Sequence, residues 1–410
     1  MQKHTVRIAA LAAIVAFLSA TAAPLHAQAT RPDETKAAKL PGCMNAFAID
    51  LYKELAAGEK GNVFYSPFSV STALAMTQTG ARGDTAAQMA KVLHLEKLDK
   101  APEQFKELIA QLNGEGRKDR PYQLTAVNAI WGQKGYPFKK DFVDGVATSF
   151  GGAMFDVDFA TETEKARTAI NKWVEQKTNS KIKDLIGEGV LTTDTRLVLT
   201  NAIYFKSDWA HKFDATNTRK RDFAVSKDKK VQADMMWQSE HLGYCKDDSA
   251  AVLSVPYKDD ELSMLVVLPK DAEGLAKVEK ELSAGQIDKW VAALKDKKVD
   301  VLLPKFKVEF EASLKDPLKK LGMVDAFSRD KADFTGMTAE DELYISHVLH
   351  KAYVSVNEAG TEAAAATAVI MALKLEDAEV VEFHADRPFL FVIRETKTGA
   401  VLFIGRLMNP

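Results

Sequence analysis

The chain has little cysteine, which limits how it can be held together. Cys43 and Cys245 are the only two in 410 residues, so a disulfide scaffold is excluded and one bridge is the most an oxidising compartment could form. The sequence favours two unpaired, partly buried thiols. Long apolar runs are also lacking after the first thirty residues. None approaches the roughly 18 apolar residues that a spanning helix needs, so no membrane association is expected. Net charge is nearly absent, at -2, and the broad basic footprint of a general nucleic-acid binder is missing. There is no Pro/Gly/Ser-rich linker, repeat or low-complexity tract to divide residues 30–410, which read as a single domain. Enzyme motifs are missing too: no Gly-x-Ser-x-Gly, no His-Glu-x-x-His and no Gly-x-x-x-x-Gly-Lys. His347 and His350 lie three apart in an expected strand, point to opposite faces and make a poor metal pair. Nothing positive supports a catalytic set, so no enzyme activity, cofactor or metal is expected.

What is present begins with a leader. Lys3, His4 and Arg7 form a basic start, Ile8 to Leu18 is apolar, and Ala27-Gln28-Ala29 supplies small residues for signal peptidase. Residues 1–29 therefore read as a signal peptide cleaved near Ala29, and the mature protein as secreted or periplasmic. Its look is bacterial.

The rest reads as α+β, with large mixed or antiparallel sheets and about eight to nine helices. Met44, Phe47, Leu51 and Leu55 repeat at helical spacing over residues 44–57. Asn62 to Phe68 reads as a short apolar turn. Ser66-Pro67 caps a buried helix through Thr77, and Thr85 and Gln88 suggest a capping box for a helix to Leu93. Further helices are expected over 104–112, 165–177 and 316–321. Leu124 to Trp131 lacks charge on either face, as a strand covered on both sides does, and Arg196 to Phe205, with its run Leu197-Val-Leu-Thr-Asn-Ala-Ile-Tyr-Phe205, reads as a second doubly buried strand. The segments 252–255 with 262–268, and 389–393 with 401–404, read as hairpins. Val299 to Phe310 alternates as a strand, and Leu343 to Val356 is a long strand running into the most unusual part of the chain.

That part is Asn357 to Leu375. By propensity its alanines favour helix. By alternation Thr361, Ala363, Ala365 and Thr367 share one face, with Glu362, Ala364 and Ala366 on the other. Every residue from Ala363 to Ala368 is small, so the segment could slip between strands without overpacking a core. The plain alternative is an Ala-rich surface loop or short helix.

The surrounding residues add a resemblance. Ile345 to Glu358, the hinge-like Glu358-Ala-Gly-Thr-Glu-Ala363, and Phe383-His-Ala-Asp-Arg-Pro-Phe-Leu-Phe391 together resemble the serpin family. Asn62 to Val70, Leu199 to Trp209 and Leu303-Pro-Lys-Phe306 extend the likeness over residues 44–410. A glycine often stands in the family where Ser207 is here.

The resemblance implies an inhibitor of the inhibitory type rather than an enzyme, monomeric and cofactor-free, with an exposed reactive-centre loop at about 358–380. A serine protease cuts the loop and is caught as a covalent acyl-enzyme while the loop inserts into the main sheet, a conformational change. The implied hinge is Glu358, Gly360, Thr361, Glu362, Ala363, Ala364, Ala365, Ala366 and Thr367. Ser66, Ser69, Asn201 and His350 match the family's shutter, Trp209 its breach, and Lys305 pairs with Glu358. Each has the plainer reading of core satisfaction or a weak ion pair. The usual spacing from the hinge glycine puts the reactive bond at Lys374-Leu375, which suits a trypsin-like enzyme. A register slip to Leu373 or Met371 would suit chymotrypsin- or elastase-like ones. A serpin acting as carrier or folding helper is the alternative; the small-residue hinge argues against it. Lys97, Lys100, Lys106, Arg117, Lys118 and Arg120 are offset by nearby carboxylates, so no polyanion activator is expected.

Overall fold

Leu40, Met44, Phe47, Leu51 and Leu55 fall on one stripe and are all buried, which is why the chain starts as an amphipathic helix. The structure, a computed structural model, describes residues 39–114, 117, 119–339, 343–361 and 380–410. The leader, Glu362 to Thr367, and the bond Lys374-Leu375 lie outside the described residues.

The first half contains α1 (Lys39–Gly58), β1 (Val63–Tyr65), α2 (Pro67–Gln78), α3 (Gly83–Val92), α4 (Ala101–Asn113), β2 (Tyr122–Gln133), α5 (Lys140–Phe150), β3 (Ala153–Val157), α6 (Phe159–Lys177) and β4 (Leu197–Asp208). The second half is richer in strands. It contains β5 (Arg219–Ser226), β6 (Lys229–Lys246), β7 (Ala250–Pro256), β8 (Leu262–Pro269), α7 (Leu275–Glu281), α8 (Ala284–Ala293), β9 (Lys295–Pro304), β10 (Phe306–Ser313), α9 (Lys315–Leu321), β11 (Ile345–Asn357), β12 (Gly360–Thr361), β13 (Val381–His384), β14 (Phe389–Glu395) and β15 (Val401–Leu407). The α+β expectation holds, with nine α-helices among the described residues.

Two mixed sheets carry the architecture. The larger has nine strands in the order β1-β15-β14-β8-β7-β6-β9-β13, with β5 beside β6. The smaller has six, β10-β11-β12-β4-β2-β3, and β11 also pairs directly with β4. One face of the smaller sheet joins the main core; the other packs Val127, Ala129, Trp131, Val198, Ala202 and Leu349 under α6. Burial on both faces explains why β2 and β4 carry no charge in their centres.

Several expectations change. Val299 to Phe310 is two strands, not one: β9 pairs with β6 in the larger sheet and β10 with β11 in the smaller. The alternation is real, but it cannot tell which sheet a strand joins. Thr85 and Gln88 do not cap α3, whose N-cap is Arg82 with no side-chain bond. Thr85 Oγ1 instead accepts the Asp333 N–H at 3.0 Å, and Gln88 Oε1 accepts from Val324 and Asp325. Long-range partners outcompeted the local motif. The 62–68 turn contains β1, paired antiparallel with β15. Both cysteines are free, as expected; Cys43 is half-buried and Cys245 buried.

A buried charge pair ties the ends together. Arg406 on β15 holds Glu279 of α7 at 3.0 and 3.3 Å and donates to the carbonyls of Glu59 and Gly61, while Tyr52 of α1 donates to Glu279 at 2.6 Å. Arg406→Met strands a largely buried carboxylate and should cost about 3 kcal/mol. A denaturant midpoint within 0.5 kcal/mol of the parent, at equal slope, would show that the pair is not structural.

Candidate functional site

The site is the seam between β4 and β11. These strands pair in parallel from Ile345 opposite Leu197 to Tyr353 opposite Tyr204. At its far end β12 lies between them, antiparallel to both, with Thr361 opposite Val356 on one side and Ser207 on the other.

Beneath the middle of the seam is a buried polar cluster. Ser66 ends β1's approach and caps α2, its Oγ accepting the Ser69 N–H at 3.1 Å and donating to the Leu402 carbonyl at 2.7 Å. The Ser66 N–H donates to His350 Nε2 at 3.2 Å. That fixes the tautomer: Nδ1 carries the proton and donates to Asn201 Oδ1. Asn201 Nδ2 in turn donates to Ser69 Oγ at 2.5 Å and to Asn128 Oδ1. His350 is opposite Asn201 across the seam, and Asn128 is opposite Asn201 on the other side. The row Asn128–Asn201–His350 therefore crosses three strands, and the Tyr65 ring meets His350 edge-on at 6.1 Å. The four residues read from the sequence come together; Asn128 and Tyr65 complete them. Asn128 was visible as a lone amide in an apolar strand, but its partner was not.

The hinge end is held by a second set. Trp209 Nε1 donates to the Asn357 carbonyl at 2.9 Å, and its N–H to that of Ala359 at 3.0 Å. The Phe213 N–H takes the Glu358 carbonyl at 2.9 Å. Glu358 meets Lys305 Nζ at 3.0 Å and accepts from Thr218 Oγ1 at 2.8 Å. Burial pushes the Glu358 carboxyl up, but its own N–H, Lys305 and Thr218 outweigh that and hold it below the usual carboxylate value. Trp209 stacks on Tyr257 at 4.5 Å, and the Tyr257 hydroxyl is 2.7 Å from Thr361 Oγ1. Thr361 is fully buried. Nothing in the sequence pointed to Tyr257 or Thr218.

Gly360 is fixed by geometry. It has φ +152°, and a Cβ there would lie 2.1 Å from the Ser207 carbonyl oxygen. Only glycine lets the chain enter between the strands at this point.

The comparisons agree with this architecture. Residues 43–410 match the sequence model of a family described as "Serpin (serine protease inhibitor)". The leukocyte elastase inhibitor of Xenopus tropicalis is 42% identical over 89% of this chain and 97% of its own. An uncharacterized serpin-like protein of Thermococcus kodakarensis is 42% identical over 90% of this chain and 85% of its own. Among solved structures, a highly specific serpin of the insect Tenebrio molitor superposes with TM-score 0.83 at 33% identity, covering 92% of this chain and all of that one. Human thyroxine-binding globulin in its hormone complex does so with TM-score 0.83 at 31% identity, covering 91% and 99%. The fold is therefore that of a protease-inhibitor family that also contains a hormone binder, and this chain is a serpin.

The buried cluster sets a pH dependence. Burial lowers the His350 pKa from 6.5 to about 3. A histidine held neutral in the fold but free to protonate when unfolded contributes stability that is full above the unfolded value and lost as pH falls towards the folded one. Between pH 7 and 4.5 the loss should be about 2.5 kcal/mol. The unfolding midpoint of wild type should fall over that range, and that of His350→Gln should fall less. Equal slopes would remove His350 from the acid response.

Proposed function

We propose that this serpin is an irreversible suicide-substrate inhibitor of a trypsin-like serine protease, cut at Lys374-Leu375 and completed by insertion of the loop between β4 and β11. The observation that carries the reading is β12. Two hinge residues already occupy the seam in the orientation a longer strand would need. Continuing that register, each later hinge residue meets an earlier residue of β4. Ten steps from the Thr361–Ser207 pair bring Met371 opposite Leu197, where β4 begins.

The driving force follows from the ladders. Insertion replaces one parallel pairing by two antiparallel ones, the stronger arrangement. About a dozen residues at roughly 1 kcal/mol net per hydrogen bond gives on the order of 10 kcal/mol. Losing one oxyanion donor in a distorted protease costs it about 100- to 1000-fold in turnover. The uncut chain must then be kinetically held above its lowest state, and the Asn201–His350 bond is a specific hold, because any strand entering the seam must break it. Ser66, Ser69, Asn201 and His350 would thus control opening, with Trp209, Glu358 and Lys305 guiding entry. Glu362 would face outward and Ala363, Ala364, Ala365, Ala366 and Thr367 follow with little steric resistance.

Residues 1–29 support export before the protein acts, either in the periplasm or outside the cell, as a bacterial signal peptide would direct. The domain that acts is 30–410, working as a monomer away from membranes. The elastase-inhibitor relatives favour a register in which Leu373 or Met371 precedes the cut. The spacing from Gly360 favours Lys374.

Thr361→Arg has no room beneath Tyr257, so β12 should leave the seam while the rest of the fold holds, turning inhibitor into substrate. On SDS gels with trypsin, the covalent band should give way to cleaved serpin. Retention of complex at the parent's stoichiometry would exclude insertion as the trapping step. Lys374→Ala should slow trypsin inhibition by at least 100-fold while sparing elastase-like enzymes; an unchanged rate would move the bond to another residue.

A further inference from the structure

Away from the seam, at the edge of the smaller sheet, lies a recess of about 250 Å³ lined by Tyr136, Phe138, Val143, Met154 and Asp156. β3 is the last strand of that sheet. Phe155 of β3 stacks on Trp131 and meets Trp173 of α6 edge-on. Met154 and Asp156, one residue to either side, therefore face the other way. α5 supplies Val143, and the connection from β2 to α5 supplies the two rings.

The walls are set before anything binds. Gly132 of β2 lies against Phe138, and a Cβ there would sit 2.4 Å from that ring. The Phe138 N–H donates to the Tyr136 carbonyl at 3.0 Å, and the Lys139 N–H to the Met337 carbonyl at 2.7 Å. The Tyr136 and Phe138 rings stand near-parallel, with centroids 6.2 Å apart. A preformed wall loses little freedom when a ligand arrives.

The charge at the mouth is negative. Asp156 is exposed and has no hydrogen-bond or ion-pair partner among the described residues. The neighbouring lysines are engaged elsewhere: Lys139 donates to the Thr335 carbonyl, Lys140 pairs with Asp144, and the charge of Lys134 acts on Asp158. A free carboxylate calls for a cation, and two aromatic rings beside a thioether suit a cation with an apolar skin.

The supply of acceptors decides which cation. Among the lining side chains only the Asp156 carboxylate and the Tyr136 hydroxyl are strong acceptors. A guanidinium carries five N–H donors and a primary ammonium three, so either would leave donors unpaired against Val143, Met154 and the rings. A quaternary ammonium has no donor to satisfy. The volume equals the share of about eight waters, which a trimethylammonium group on a short chain fills.

We propose that the recess between β3, α5 and the β2–α5 connection binds a quaternary ammonium solute of the choline type. Asp156 is its counter-ion, and Tyr136 and Phe138 are its aromatic wall. The site is separate from the seam and does not depend on the inhibitory reading.

The test is calorimetric titration of the full-length protein with choline chloride, with an expected dissociation constant of about 1 mM. Asp156→Asn should weaken binding about tenfold and Tyr136→Leu several-fold. The uncharged tert-butyl isostere of choline should bind at least about tenfold more weakly to the parent. Asp156→Asn changes an exposed side chain and carries the test should Tyr136→Leu fail to fold. A free solute is the expected source of the group. Co-sedimentation with phosphatidylcholine vesicles that is lost in Asp156→Asn would instead assign it to a lipid headgroup. No heat of binding up to about 50 mM choline would overturn the proposal. So would choline affinity in Asp156→Asn, or affinity of the parent for the isostere, within twofold of the parent's affinity for choline.

Discussion

The structure depends on one parallel pairing in the middle of the smaller sheet. β4 and β11 run parallel and are joined at mid-seam by the His350–Asn201 bond. The surrounding elements bear on that contact. α2 supplies Ser66 and Ser69 from below, and β15 supplies the Leu402 carbonyl. On the other face Lys351, one residue from His350, reaches the Lys183 carbonyl in the connection after α6 and binds Glu309 and Glu311 of β10. A purely apolar seam would resist separation through area alone. A polar row resists through bonds that are expensive when unmade and cheap to exchange for equivalent ones.

The same logic explains the two ends of the hinge. Asn357 to Ala359 is held by backbone and side-chain bonds from Trp209, Phe213, Thr218 and Lys305. Gly360 and Thr361 are held by fit: one has no room for a Cβ and the other is sealed under Tyr257. The first group fixes where a strand enters; the second limits what size may enter. That division accounts for a sequence that is rich in polar anchors up to Glu358 and nearly featureless from Ala363 to Ala368.

Much of this was legible in the sequence, and the failures have a pattern. Helical spacing located α1, the Ser66-Pro67 cap located α2, and uncharged apolar runs located β2 and β4, because their burial is written in their own residues. Resemblance supplied Ser66, Ser69, Asn201, His350, Trp209 and Lys305, which the fold brings into two groups. What was missed depends on residues far away in the chain. Thr85 and Gln88 have the local form of a capping box, yet bond to residues 324–333. Tyr257 is a plain aromatic at the end of a strand until Thr361, 104 positions on, places its hydroxyl against it. Asn128 is an amide in an apolar run that the sequence reading passed over, and only the register with Asn201 shows its use.

On the inhibitory reading, the register of β12 also gives bait and spring different requirements. Carried on from Thr361 opposite Ser207, the pairing would reach the start of β4 at Met371, so residues up to that point would answer to the sheet and those after it to the protease. Inserted side chains in phase with Thr361 would meet a packed interior, and in the sequence these stay small through Thr367, with Val369 and Met371 larger. Lys374 would stand three residues beyond, where a long charged side chain would impose no packing cost. A change of target could then be made at 373–375 without touching the hinge, whereas a change at 361–367 would alter the outcome for every target alike.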